Sequence, residues 1–131
     1  MIVVLDTNVW ISALQFSRQD GTVYRALERA IGVDTIAICP EMEEEIERTL
    51  RERFSWPSSR IDAVLPAMLG NAISVTISGT VKICRDPKDD MILECSERAN
   101  ARVIVTGDKD LLALESYKLS RIVNPASYLE M

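Results

Sequence analysis

The chain has 131 residues, 47% of them hydrophobic and 27% charged, which is one packed domain's worth of protein, residues 1–131, with no linker or repeat to divide it. Twenty Asp plus Glu against 15 Lys plus Arg leave a net charge of −5, which argues against a general polyanion binder. There is no histidine, so Ser-His-Asp and Cys-His catalysis, histidine general bases and histidine metal ligands are all excluded, and carboxylates remain for chemistry.

In chain order, Ile2–Leu5 is a continuous apolar, β-branched run, the pattern of a strand buried on both faces. Residues 8–16 read as a helix and residues 17–21 as a polar turn. Thr22 can cap a second helix that ends near Gly32. Residues 35–39 form another short apolar strand. Pro40 stands where a first helical residue belongs, with four acids in the next five positions, and Met42, Ile46, Leu50 and Phe54 mark one stripe of that helix. A loop around Trp56 and Pro57 precedes a helix over 60–69 that Pro66 should kink. Residues 73–77 alternate like a strand. Asp86-Pro87 opens a helix by the cap-then-proline rule and Asn100 can close it. Residues 103–106 are a buried strand, 107–110 a turn before Leu111 to Leu114, Ile122-Val123 a last strand, and Asn124-Pro125 the start of a terminal helical turn. Strands alternating with helices predict an α/β fold, a three-layer α/β/α sandwich around a central, mostly parallel sheet of about five strands.

Cys39, Cys84 and Cys95 form no CxxC pair and read as reduced, mostly buried residues of a cytoplasmic protein. The longest uncharged run, 63–81, carries Pro66, Gly70, Asn71 and several hydroxyls and is unsuited to a membrane.

Sites in parallel sheets form beyond the carboxyl ends of the strands. Asp6 ends the first strand and Asp108 follows the 103–106 strand, so two acids distant in sequence share one edge if those strands run parallel. In the helix after Asp86, the apolar positions centre near Ile92 at 100° per residue. Asp89 then falls about 60° from that centre, on the packed face, and Asp90 about 160° away, beside Glu94 and Glu97 on the solvent side. Asp86 is the expected cap. Among the glutamates after Pro40, Glu43 and Glu45 flank the buried stripe, and spacing does not choose between them.

Five pieces in order, Val3-Val4-Leu5-Asp6-Thr7-Asn8-Val9, the Glu45-Ile46 pair, Cys84-Arg85-Asp86-Pro87-Lys88-Asp89-Asp90, Val105-Thr106-Gly107-Asp108-Lys109-Asp110-Leu111-Leu112, and Ile122-Val123-Asn124-Pro125, resemble the PIN-domain family. The branch it is most similar to is that of toxin components of prokaryotic toxin–antitoxin pairs. The resemblance implies an endoribonuclease dependent on Mg²⁺ or Mn²⁺, with a cognate antitoxin, RNA as substrate and a homodimeric habit, for which the Trp56 loop is a candidate contact. Carried over residue by residue, it makes Asp6, Glu45, Asp89 and Asp108 the catalytic acids. Glu45 is chosen because Ile46 follows it, and Asp89 because an aliphatic residue, Ile92, lies three positions on. Spacing measured back from Asp108 selects Asp90 instead, so Asp90 stays among the candidate ligands. Asn8 and Thr106 match positions that orient the acids, Asp86 and Asp110 support them, and Ser96 stands where relatives have a small alanine. Arg85, Lys88 and Lys109, with Arg48 and Arg51, are candidates to meet the phosphate backbone. In a chain without histidine a hard, oxygen-bound cation is the means of activating water for attack on a phosphodiester.

Three other readings compete. A dehalogenase-type phosphatase needs an acid at position 8, where Asn8 stands. A receiver-like acidic Mg²⁺ site is echoed by Thr106 and Lys109 but needs an acid pair on the first strand. A catalytically silent interaction module of the same fold would keep the architecture without the cleavage.

Overall fold

The computed structural model describes residues 1–16 and 21–131. The turn expected at 17–21 lies outside them, apart from Gly21. Strand β1 is Ile2–Leu5, β2 Thr35–Ile38, β3 Ile73–Ser74, β4 Val103–Val105, β5 Ser116–Tyr117 and β6 Ser120–Val123. They form a six-stranded sheet in the order β3-β2-β1-β4-β6-β5, parallel throughout except for the β5–β6 hairpin. The added strand is β5, which sequence reading passed over; a left-handed Lys118 makes the tight turn that folds it back on β6. The strand expected over 73–77 keeps only two ladder residues. It sits at the sheet edge with a neighbour on one side alone, and Val75 donates a last bond to the Ile38 carbonyl.

The helices are α1 Thr7–Ile11, α2 Thr22–Gly32, α3 Pro40–Phe54, α4 Ser58–Met68, α5 Pro87–Ala99, α6 Lys109–Leu114 and α7 Pro125–Leu129. Helix α1 widens into a π-helical stretch, Ser12–Phe16, where a single helix was expected. Helix α4 continues through Pro66 to Met68. Parallel crossovers are right-handed. Helices α2, α3 and α4 link strands stepping one way across the sheet and lie on one face; α5 and α6 step the other way and cover the opposite face, α5 packing against β1 and β2. Helix α7 returns to pack on α2. The stepping direction reverses between β1 and β4, which makes their carboxyl ends the topological switch point.

Both central strands are dry, with Val3, Val4, Leu5, Ile104 and Val105 fully buried. Met42, Ile46 and Leu50 fill the same core from α3, as their spacing required, and Trp10 and Tyr128 are its largest members. Trp56 is 4% exposed, its side chain turned into the chain's own core. Its indole N–H donates to Gln15 at 2.8 Å and the Arg60 guanidinium stacks 3.6 Å above its ring. Cys39 and Cys95, 56 positions apart, are buried in side-chain contact. That contact and burial raise the Cys95 thiol's pKa. Among the described residues no helix is long and apolar enough to cross a membrane.

Helix α5 corrects one helical-wheel expectation. Glu94 is 1% exposed, where a solvated acid was expected. The chain between β3 and α5 folds over that flank, and the Glu94 carboxylate accepts the backbone N–H groups of Ser78, Gly79 (2.9 Å) and Thr80 (3.1 Å), with Arg98 3.7 Å away. Burial alone would raise its pKa, but the N–H donors of Ser78, Thr80 and Gly79 outweigh burial and hold it below the ordinary 4.5. A lowered carboxyl pKa contributes stability above the unfolded value and loses it as pH falls through the folded one. Glu94→Gln should therefore cost about 1–3 kcal/mol near neutral pH, with a smaller difference from wild type below pH 4.5. Chemical denaturation at the two pH values checks it, and amide exchange at Ser78, Gly79 and Thr80 should accelerate in the variant.

Candidate active site

The register Leu5↔Val105 sets the next residues, Asp6 and Thr106, side by side at the carboxyl edge. Asp6 is 2% exposed, and its amide still donates to the Val105 carbonyl at 2.9 Å. Both carboxylate oxygens are engaged. Oδ2 accepts the Thr106 hydroxyl at 2.6 Å; Oδ1 accepts the Asn8 amide at 3.1 Å and the Thr7 hydroxyl at 3.4 Å. Burial raises the Asp6 pKa against the Thr106 and Asn8 hydrogen bonds, and the nearby Asp108 charge raises it further.

Thr106 also accepts the Asp108 backbone N–H at 3.0 Å, so one hydroxyl ties the two aspartates' segments together. Asp108 caps α6 through Leu111 N–H at 3.0 Å with one oxygen. Asp89, on the first turn of α5, stands beside them. Its pKa is raised to about 7, first by burial, then by the charges of Asp108, Asp6 and Asp86, and by a proton shared with Asp108. Glu45 is half-buried on α3 and reaches the group through Thr7, whose hydroxyl lies 3.5 Å from Glu45 Oε1 and 3.4 Å from Asp6 Oδ1. Thr7 is the link that sequence reading did not single out; its position inside Asp6-Thr7-Asn8 was the available signal.

The remaining candidates separate. Asp90 turns away from the cluster. Its Oδ1 accepts Ile83 N–H at 2.9 Å and Cys84 N–H at 2.7 Å, and those bonds, against the cost of burial, keep its pKa low. Asp86 caps α5 through Lys88 N–H at 2.9 Å. Lys88 lies 3.4 Å from Glu45, a bond between an expected substrate contact and an expected ligand. Asp110 is exposed one residue pair beyond Asp108 and lines a separate surface hollow with Arg85, Ile83, Cys84 and Leu114. Lys109 is exposed at the start of α6, and the Asn8 side chain is exposed at the start of α1.

Asp6, Asp89 and Asp108 are thus coupled through space, with Glu45 attached through Thr7. Among the described residues no three acid or cysteine side chains close around a common point. The donor set is nevertheless all carboxylate oxygen. The Asp89 pKa is raised first by burial and then by the charges of Asp108, Asp6 and Asp86, and a hard divalent cation would relieve the second of these. On that chemistry the residues fit a hard divalent cation.

A protein of Methanocaldococcus jannaschii, itself described as uncharacterised, is 27% identical over 117 residues, which is 86% of this chain and 74% of that one. The backbone matches the crystal structure of VapBC2 from Rickettsia felis, bound to a DNA fragment from their promoter, with a TM-score of 0.67 at 18% identity, covering 93% of this chain and 98% of that one. Residues 2–110 match the sequence model of the PIN domain, a span that runs from β1 into α6 and includes Asp6, Glu45, Asp89 and Asp108; the chain belongs to the PIN-domain family.

Proposed function

We propose that this protein is a divalent-metal-dependent endoribonuclease that hydrolyses phosphodiester bonds of single-stranded RNA, and that it is the cytoplasmic toxin of a toxin–antitoxin pair. The observation that carries the reading is the meeting of Asp6, Asp89 and Asp108, from three separate segments, at the sheet's switch point. Family membership supports a nuclease, and the likeness to VapBC2 supports a cognate antitoxin.

Asp6, Glu45, Asp89 and Asp108 would hold Mg²⁺ or Mn²⁺, directly or through water. The bound cation supplies a lowered pKa for an attacking water and neutralises charge on the phosphoryl oxygens. Thr106 and Thr7 hold Asp6 in one rotamer, so its geometry is set before any ion arrives. The water's oxygen forms a bond to phosphorus, the P–O bond to one ribose oxygen breaks, and the water's proton is released as that leaving oxygen takes one up. Lys88 borders the acids and would meet a flanking phosphate, exchanging its Glu45 partner for RNA, and Arg85, in the neighbouring hollow, would meet one further along the strand.

Purified protein should cleave single-stranded RNA with Mn²⁺ or Mg²⁺ and stop in chelator, and Asp6→Asn should lose at least about a hundredfold in rate. Undiminished cleavage by that variant would assign the activity elsewhere.

Asp89 and Asp90 separate by function. Asp89→Asn should abolish the rise in melting temperature caused by Mn²⁺. Asp90→Asn should keep that rise while loosening the Ile83 and Cys84 amides, measured by thermal unfolding and hydrogen exchange. The reverse pattern would make Asp90 the ligand.

The pH dependence of the metal-free protein carries a sign. A carboxyl raised from 3.8 to about 7 is favoured by folding in its protonated form, so its contribution is complete below 3.8 and lost as pH rises through about 7. In chelator, melting temperature should fall by a few degrees between roughly pH 4 and 7 and level off above. Asp89→Asn should flatten that fall. A wild-type curve as flat as the variant's would leave the acids uncoupled.

A further inference from the structure

Beside the acids lies an opening of about 460 Å³ that the hydrolytic chemistry does not use. Asp108 forms its rim. Asn8 and Ser12 come from the start of α1 and the π-helical stretch, Val23 from α2, Gly107 from the loop after β4, and Pro125 from the start of α7. Its volume is within the range of small-ligand sites. Among the described residues no Lys or Arg lines it, and Asp108 would repel a second phosphate, so the chemistry is wrong for an anion. Val9, Val23 and Pro125 give it an apolar lining, shared with a carboxamide and a hydroxyl, Asn8 and Ser12, that make no side-chain hydrogen bond among the described residues. Flat apolar faces with a polar edge suit an uncharged heterocycle.

We propose that this opening is a nucleobase subsite, resting on the ribonuclease reading, in which the base next to the scissile phosphate is turned out of the strand and held. Unstacked bases are what single-stranded RNA offers a protein, and their edges are read by amide and hydroxyl groups. Asn8 and Ser12 supply the edge contacts. Gly107 lines the opening, and a Cβ built on it meets nothing within 4 Å, so a larger side chain there would not clash with the fold. Its φ is not in the left-handed region, so a side chain is tolerated by the backbone. The glycine is there for room, not for conformation. The π-helical turn works the same way, widening the helix at Ser12, a distortion associated with functional sites.

The test fills the opening from two sides, with Gly107→Leu next to the acids and Val23→Trp from the opposite wall. The four ribonucleosides are titrated into ¹⁵N-labelled wild type and both variants, with the amides of Ser12 and Gly107 (Ser12 alone in Gly107→Leu) as reporters. Wild type should shift these amides saturably for at least one nucleoside, and each variant should weaken that binding at least fivefold. In parallel, cleavage of an oligoribonucleotide is compared with that of its copy carrying one abasic ribose beside the cleaved bond. Wild type should prefer the intact strand about tenfold in kcat/KM, and both fillings should bring the ratio towards one. Unperturbed Ser12 and Gly107 amides, or equal cleavage of intact and abasic strands by wild type, would overturn the subsite. Nucleoside binding with no RNA cleavage by wild type would instead sink the ribonuclease reading and leave the subsite standing. Should one variant unfold, the other carries the comparison.

Discussion

The β1–β4 pairing is the constraint from which the candidate site follows. Leu5 opposite Val105 leaves Asp6 opposite Thr106, and the Thr106 hydroxyl closes on Asp6 at 2.6 Å. A slip of one residue would send every side chain of the slipped strand to the opposite layer, against the wrong helices. Five fully buried residues in the two strands make that slip costly, so hydrophobic burial sets the position of a carboxylate that itself contributes nothing to the core. The same hydroxyl accepts the Asp108 amide, and the arrival of the second acid is coupled to the orientation of the first.

Around this pair the chain handles each acid differently. Asp6 is fully hydrogen-bonded and Asp108 is half committed to a helix cap, while Asp89 meets mainly other negative charges. Asp90 and Glu94, one and five residues on, are acids of equal chemical capacity that spend it on backbone amides of the segment covering α5. Burial is therefore no guide to which acids are left without donors. Glu94 is more buried than Asp89 and is wholly occupied, whereas Asp89 retains an unrelieved repulsion that an ion can remove. Lys88 near Glu45 supplies the one cation at close range to this group among the described residues, and its ammonium moderates the charge from the α3 side.

What was legible in the sequence followed from periodicity and termini. The apolar runs of β1 and β4, the Met42-Ile46-Leu50 stripe, and the proline-led starts of α3, α5 and α7 place their elements directly. So does the placement of Asp6 and Asp108 at one edge, which needs only that two strands be parallel. The misreadings share a cause: each depends on a long-range contact that no local pattern encodes. Glu94 looked solvated because the helical wheel does not contain the segment that folds over it. The inward packing of Trp56 was not legible because its hydrogen-bond partner, Gln15, lies 41 positions away. Residues 75–77 looked like strand because their alternation is real, but ladder bonds end where the sheet has no further neighbour. Thr7 was overlooked because its two partners, Asp6 and Glu45, meet only when α1 and α3 pack together.

The way Glu94 holds residues 78–80 has a consequence for what that segment can become. The carboxylate takes hold of amide hydrogens, which every residue except proline presents identically. The path of the chain is then set from α5; the Ser78 hydroxyl adds one bond to the same carboxylate, at 3.3 Å, and the exposed Thr80 side chain makes none to it. Gly79, with φ at +75°, is the exception, since its backbone shape restricts what can replace it. A surface built this way can be rewritten at its outer positions without being reshaped, so its chemistry and its geometry can drift independently.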